Sequence, residues 1–253
     1  MNNFERDGYI ILKNAMSKKE CQKLIKQTII PILHKKNIYL TKSDSWKNKI
    51  GQKQEGKLIY GKNGGHIISK TNKHFRFKSF FESTKLNHFL NKIHSRNLNT
   101  KKWNFKHLAS EGLGWIHLRY PFYNYNMENN NHLQCSEDSF HLDGTTYTDT
   151  IDPTQSVILL PFITTVNKNG GGTAVIPGSH KLINDYLLRY NYKTNDDINI
   201  VINKIVEHKY NKIIDITGNQ GDILIMHQHL LHSPSLADIN SNVRITFNLS
   251  TEI

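Results

Sequence analysis

Cysteine is almost absent from this 253-residue chain. Its two residues, Cys21 and Cys135, are too few for a disulfide framework, and no Cys-x-x-Cys pair offers a structural zinc site. Proline is sparse, at six residues, and never clusters into a linker. No apolar run is long enough to cross a bilayer; the longest, Val157 to Val166, is broken by Pro161 and threonines and reads as a core strand. The N-terminal Met1-Asn2-Asn3-Phe4-Glu5-Arg6-Asp7 lacks the apolar core of a secretion signal. These absences argue against a secreted, disulfide-stapled or membrane-spanning protein. They point to a reducing, intracellular and cytoplasmic setting.

The chain is rich in positive charge, with 33 Lys and Arg against 21 Asp and Glu, a formal balance of +12. Such an excess can neutralise phosphates, so one reading is a basic nucleic-acid-binding or nucleic-acid-modifying protein on a jelly-roll scaffold. The plainer reading is lysine bias. Pairs such as Lys35-Lys36 and Lys101-Lys102 sit among abundant Asn and Ile, with no arginine-rich stretch or nucleic-acid motif. The same charge suits an anionic small-molecule substrate. Hydrophobic residues at 37% and aromatics at 10% are enough for a packed, rather polar globule.

No repeat period appears, so one domain over 1–253 is the simplest organisation, with a helical, loop-rich part over 1–110 and a strand-rich core over about 111–253. Gly8–Leu12 reads as a short strand. Ser17-Lys18-Lys19-Glu20 has capping-box spacing, and Cys21, Leu24, Ile25, Ile29 and Leu33 follow at helical spacing. A second helix is expected over Glu82–Ser95. Between them, Thr41–Lys73 is polar and carries Gly51, Gly56, Gly61, Gly64 and Gly65, as surface loops or a mobile lid would. Later strands are expected at Trp115–Tyr120, Ser139–Asp143, Ser156–Val166, Thr173–Ile176, Lys212–Ile216, Asp222–His227 and Val243–Leu249, with helices at Leu182–Tyr190 and Asp196–His208. This pattern predicts a mainly β fold with flanking helices, its core an antiparallel jelly roll.

The chemistry starts at Phe140-His141-Leu142-Asp143-Gly144. Residues two apart on a strand share a face, so His141 and Asp143 can grip one inward-facing ion. Imidazole nitrogen with a hard carboxylate suits Fe(II), and a third ligand completes a two-His, one-carboxylate triad with open positions. With 14 histidines and aspartate at about one residue in twenty, about 0.7 His-x-Asp matches arise by chance, so the motif needs support. It comes from Gly221–Pro234, where a Gly-Asp turn opens an apolar strand that ends in His227, His229 and His232. All three compete for the third position. Arg244 follows His232 by twelve residues (244 − 232) in another apolar strand. A cation there needs a buried anion, either a structural carboxylate or a dicarboxylate cosubstrate held in a fork. In Trp115–Tyr120, alternation sets Trp115, His117 and Arg119 on one face, which either lines the interior and touches cosubstrate or substrate, or is a solvated polar face.

Four stretches resemble the phytanoyl-CoA dioxygenase-like family of Fe(II)- and 2-oxoglutarate-dependent oxygenases, in the family's order. They are Phe4–Leu12; Phe140-His141-Leu142-Asp143-Gly144; Asn169-Gly170-Gly171-Gly172-Thr173-Ala174-Val175-Ile176-Pro177-Gly178-Ser179-His180-Lys181; and Gly221–Arg244. The likeness is sharp only after residue 139, and residues 34–110 match no nameable motif. It implies a double-stranded β-helix (jelly-roll, cupin-like) core, Fe(II) held by His141, Asp143 and His232, and Arg244 clamping the far carboxylate of 2-oxoglutarate. Ser233 or Ser235 would add a hydrogen bond, and Pro234 between them departs from the pattern. Apart from the resemblance, His117 is a candidate cosubstrate contact if the Trp115–Arg119 face lines the interior, and His180 reads as part of a structural turn leading into a helix. The implied activity is hydroxylation of a small organic substrate with O2, giving succinate and CO2, because a halogenase needs the Asp143 position vacated. A cupin-like metal oxidase built on His227, His229 and His232, without 2-oxoglutarate, is the alternative.

Overall fold

The periodic N-terminal segment forms a long helix whose sequence explains its irregularity. In the computed structural model, which describes residues 2–47, 58–61, 65–68, 77–94, 105–106, 115–121, 140–143, 155–189, 197–209 and 212–252, α1 (Asn2–Asp7) leads into β1 (Tyr9–Leu12). Next, α2 (Lys18–Leu24) continues through a π-helical turn, Ile25–Ile29, into α3 (Ile30–His34). Pro31 has no N–H to give to the carbonyl four residues back, and the wider turn before it absorbs that break. Cys21, Leu24, Ile29 and Leu33 are fully buried, and burial together with the neighbouring Glu20 pushes the Cys21 thiol pKa up to about 12. The expected capping box closes only by half. Ser17 Oγ accepts from Glu20 N at 3.4 Å, but Glu20 Oε2 accepts instead from Ser79 N and Oγ at 2.8 and 2.7 Å. Ser79 Oγ then accepts from Ser17 N at 2.9 Å. The carboxylate takes two donors from another helix start rather than one from its own.

The remaining helices are α4 (Asp44–Lys47), α5 (Lys78–Phe81), α6 (Thr84–His94), α7 (Ser179–Arg189) and α8 (Asp197–Lys209). The remaining strands are β2 (Leu58–Gly61), β3 (Gly65–Ile68), β4 (Phe105–Lys106), β5 (Trp115–Arg119), β6 (Gln155–Pro161), β7 (Thr173–Val175), β8 (Ile214–Ile216), β9 (Ile223–His227), β10 (His232–Pro234) and β11 (Arg244–Glu252). Every described pairing is antiparallel. The larger sheet runs β1-β9-β6-β11-β5-β3-β2, with β4 also on β11, and the smaller runs β10-β7-β8. The arrangement is the expected mainly β, two-sheet jelly roll with flanking helices, though the larger sheet does not close into a barrel. Part of the glycine-rich stretch expected to be loop or lid is instead the β2–β3 hairpin, which extends the larger sheet beside β5. Residues Cys135, Ser139 and Gly144, and the lid positions Gly51, Gly56 and Gly64, lie outside the described residues, as do Lys101 and Lys102.

Period-two alternation sorts the side chains of β11. Ile245, Phe247 and Leu249 join Leu24, Leu33, Phe80, Leu86 and Leu90 in a core between the larger sheet and helices α2, α3, α5 and α6. Arg244, Thr246 and Asn248 take the other face, toward the smaller sheet. Behind the smaller sheet a second core packs Ala174 and Ile176 against Ile183, Leu187, Ile198 and Ile202 of α7 and α8. Between the sheets, Ile158, Leu160, Leu224 and Met226 form an apolar half-layer with Val175 and Ile216. The gap is therefore dry beside β6 and β9 and polar beside β5 and β11. No helix among the described residues is long and apolar enough to cross a membrane.

Two hydrogen-bonded devices position the site strands. The fully buried Asp222 accepts from Asn14 N, Asn219 N and Lys13 Nζ at 2.8, 2.9 and 3.0 Å, fixing the turn that opens β9. In the Pro-Gly-Ser-His element, Gly178 has φ +77°, a region favouring glycine, and α7 starts at Ser179. Ser179 Oγ accepts from Leu231 N at 2.9 Å, anchoring the residue before His232.

Candidate metal and cosubstrate site

Phe140 and Leu142 are buried in the core beneath α7 and α8, so alternation turns His141 and Asp143 the other way, toward the gap. A backbone bridge couples this segment to β10: His141 N donates to His232 O at 3.0 Å and His232 N donates to His141 O at 3.3 Å. The two imidazoles are thereby brought side by side, with ring centroids 4.5 Å apart and planes tilted by 50°. Asp143 Oδ1 lies 3.6 Å from His141 Nε2 and 3.7 Å from His232 Nε2. One donor atom from each of the three residues falls within 4.8 Å of the others, and among the described residues this trio forms the grouping able to hold a metal ion.

Neighbouring groups orient these donors. His232 Nδ1 lies 3.0 Å from Leu230 O; a carbonyl can only accept, so Nδ1 carries the proton and Nε2 keeps its lone pair for an ion. Asn248 Nδ2 donates to Asp143 Oδ2 at 3.3 Å across the gap from β11, leaving Oδ1 toward the histidines. Burial alone raises the Asp143 pKa, but the charge and hydrogen bond of His232, then His141 and Asn248, outweigh it and hold the carboxyl below its ordinary range. For His232, burial favours the neutral ring, and the Asp143 charge overrides it to raise the pKa. Asn248 is the member that sequence reading missed. Its signal was the polar alternation of Arg244, Thr246 and Asn248 within an otherwise apolar strand.

The face carrying Trp115, His117 and Arg119 is not a solvated one. Arg119 is buried, His117 is half-buried with its Nε2 shielded, and Trp115 is exposed at the far end. Burial, then the charges of Arg119 and Arg244, push the His117 pKa down to about 3, so its ring is neutral. Thr246 sits directly opposite His117, and Arg244 opposite Arg119. Arg244 is buried, and its Nη2 donates to Thr173 Oγ1 of the smaller sheet at 3.2 Å. Burial and the Arg119 charge push its pKa down to about 9, still cationic at neutral pH. Among the described residues, Arg244 Nε, Thr246 Oγ1 and His117 Nε2 have no hydrogen-bond partner. A buried cation among unsatisfied polar groups fits a carboxylate-bearing cosubstrate, and two imidazoles with one carboxylate fit Fe(II). Ser233 faces away from His232 by strand alternation, its Oγ 3.3 Å from Pro234 O. Ser235 Oγ is engaged with Asp215 Oδ1 at 2.5 Å and Gly172 O at 3.0 Å.

His227 and His229 are not brought to Asp143 but to His180. Ring centroids are 5.2 Å apart for His227–His229 and 5.0 Å for His180–His227. His229 N donates to His227 Nδ1 at 3.0 Å, and His180 Nε2 lies 3.3 Å from Glu5 O. Asp7 and Lys181 flank His180 with opposite charges. Burial pushes His227 down to about 3 and His229 to about 4, and lowers His180. All three rings are neutral in the folded protein at neutral pH, whereas the unfolded chain binds protons below about pH 6.5. Stability from this cluster is present above that value and is lost as pH falls towards 4. The buried His229 ring is expected to cost on the order of 1–2 kcal/mol by pH 5. Denaturant melts between pH 7.5 and 5 check this: the midpoint should drop with pH, and His229→Asn should flatten the slope.

Between two facing sheets, a two-histidine, one-aspartate cluster beside a buried arginine is the arrangement expected of an Fe(II)- and 2-oxoglutarate-dependent oxygenase. Over residues 4–236 the chain matches the family described as phytanoyl-CoA dioxygenase, and it belongs to that family. The family's cofactor is Fe(II), with 2-oxoglutarate and O2 as cosubstrates, and the His141, Asp143 and His232 donor set fits it. Among solved structures, the non-heme alpha ketoglutarate dependent carbocyclase SnoK from nogalamycin biosynthesis is similar at 13% identity, covering 99% of this chain and 81% of that one, with a TM-score of 0.56. AviO1 from Streptomyces viridochromogenes is similar at 11% identity over 100% and 92% of the two chains, TM-score 0.53. EctD from S. alaskensis, solved with 2-oxoglutarate and 5-hydroxyectoine, is similar at 15% identity over 99% and 73%, TM-score 0.51. At these identities the likeness establishes the shared jelly-roll fold. No curated protein sequence matches the chain.

Proposed function

We propose that this protein hydroxylates a small organic substrate, converting 2-oxoglutarate, O2 and a C–H bond into succinate, CO2 and an alcohol. His141, Asp143 and His232 hold the iron, Arg244 holds the distal carboxylate of 2-oxoglutarate, and His117 lines the path between them. The observation that carries this reading is the convergence of the three donor atoms within 4.8 Å. Retention of Asp143 favours hydroxylation, since a halide would need the carboxylate's place.

Bound Fe(II) and 2-oxoglutarate supply the oxidising chemistry. The chain's own residues do the positioning. Leu230 O and Asn248 aim His232 and Asp143, and the His141–His232 bridge fixes the spacing of the histidines. Arg244, the neutral His117 and Thr246 offer donors along one wall. The apolar half-layer of Ile158, Leu160, Leu224 and Met226 keeps water from the opposite wall. The first test is slow, substrate-free release of succinate from 2-oxoglutarate in the presence of Fe(II), ascorbate and O2. Absence of Fe(II)-dependent succinate would overturn the reading; once a substrate is found, incorporation of label from isotopic O2 into product distinguishes hydroxylation from desaturation or ring closure.

A further inference from the structure

Arg119 is a buried charge that the reading above leaves unused. It is the direct cross-strand partner of Arg244 in the β5–β11 ladder, and the two are 7% and 3% exposed. Directly opposed side chains in such a ladder have Cβ atoms about 5 Å apart, where like charges repel. Each guanidinium has also lost its hydration, which only a nearby anion offsets. Among the described residues neither makes a salt bridge, and Arg119 Nε and Nη1 and Arg244 Nε lack hydrogen-bond partners. Asp215 is an opposing charge acting on Arg244, but Ser235 hydrogen-bonds its Oδ1.

The slot around Arg119 is shaped for it to stay. Gly65 pairs with it from β3, and a Cβ there would come within 2.3 Å of Arg119 Nη1, so bare backbone forms the floor under the guanidinium. Gly171, at φ +71°, lets the glycine-rich turn approach the Arg119 Cβ from another side. Two residues along the same face come His117 and Thr246, and two further comes Asn248 beside Asp143. One wall thus runs from a doubly cationic end to the metal-binding end.

We infer that Arg119 and Arg244 together hold the distal carboxylate of 2-oxoglutarate, with Arg119 a second binding group for the cosubstrate. This rests on the reading that Arg244 faces that carboxylate, and the test separates the two. Anaerobic Fe(II) protein is titrated with 2-oxoglutarate and with 2-oxopentanoate, which has the same length without the distal carboxylate, following the visible absorption of the keto-acid chelate. For Arg119→Gln the 2-oxoglutarate Kd should rise about tenfold or more, while the 2-oxopentanoate Kd stays within about twofold. Arg119→Lys keeps the charge but loses the fork, and should give a smaller rise confined to 2-oxoglutarate; it carries the same test if the glutamine variant does not fold. Equal weakening for both acids would make Arg119 merely structural and overturn the inference. An unchanged Kd in Arg119→Gln alongside a raised Kd in Arg244→Gln would also overturn it, leaving the Arg244 reading intact. If neither arginine affects 2-oxoglutarate binding, the cosubstrate site itself is misplaced.

Discussion

Asp143→Ala is expected to abolish Fe(II)-dependent succinate formation and to lower iron affinity by more than about a hundredfold, beyond the 10–100-fold that loss of a supporting group costs. The carboxylate is the trio's only anion, so its loss leaves two neutral imidazoles facing a dication. It also removes the acceptor of the Asn248 amide and the charge that raises the His232 pKa. The fold should survive, because the backbone bridge between His141 and His232 does not use the Asp143 side chain. Metal analysis of the reloaded protein, succinate release and a circular-dichroism spectrum separate these effects. Iron retained at wild-type stoichiometry with unchanged turnover would sink the assignment. Asn248→Ala should show a milder version of the same loss, because it frees Asp143 Oδ2 without removing the ligand.

Arg244→Gln is expected to raise the KM for 2-oxoglutarate steeply while the melting temperature moves little. Truncating one partner of a buried, hydrogen-bonded charge pair costs about 2–5 kcal/mol of binding, which corresponds to about thirtyfold or more in affinity. The fold gains in one respect, because the repulsion from Arg119 disappears, and loses in another, because Thr173 Oγ1 gives up its donor. A large KM change with kcat nearly kept would mark Arg244 as a group that binds the cosubstrate equally before and during reaction. A core substitution would behave in the opposite way: Phe247→Ala, on the other face of the same strand, should unfold the protein by about 3–5 kcal/mol. A fall in stability without a change in KM would place Arg244 in an ordinary structural ion pair.

Much of this was legible in the residues. The strands Ile223–His227 and Arg244–Glu252 announce themselves because one is continuously apolar and the other alternates, and both patterns reflect which faces are buried. The long helices follow their 3.6-residue spacing. What stayed hidden depends on partners far away in sequence. The β2–β3 hairpin looks like loop because its strand character comes from pairing with β5, not from its glycine-rich composition. Glu20 looks like half of a capping box until Ser79 arrives with two better donors. Strand alternation left His227 and His229 as rivals of His232, and only the resemblance, through the distance from His232 to Arg244, favoured the last; the His141 bridge then sets His232 beside Asp143. Arg119 had two readings, solvated or interior, and only the position of the facing sheet decides between them.

The paired backbone hydrogen bonds between His141 and His232 have a consequence for metal choice. The spacing of the two histidine ligands is set by a β-bridge between their backbones, whichever ion they hold. Affinity then follows the general order of divalent ions, in which cobalt, nickel and copper outrank Fe(II). Fidelity for iron then rests on cellular metal supply as well as on ligand type and geometry. Protein purified from overexpressing cells would carry whichever competing ion was most available, and would need to be stripped and reloaded under reducing conditions before its activity meant anything.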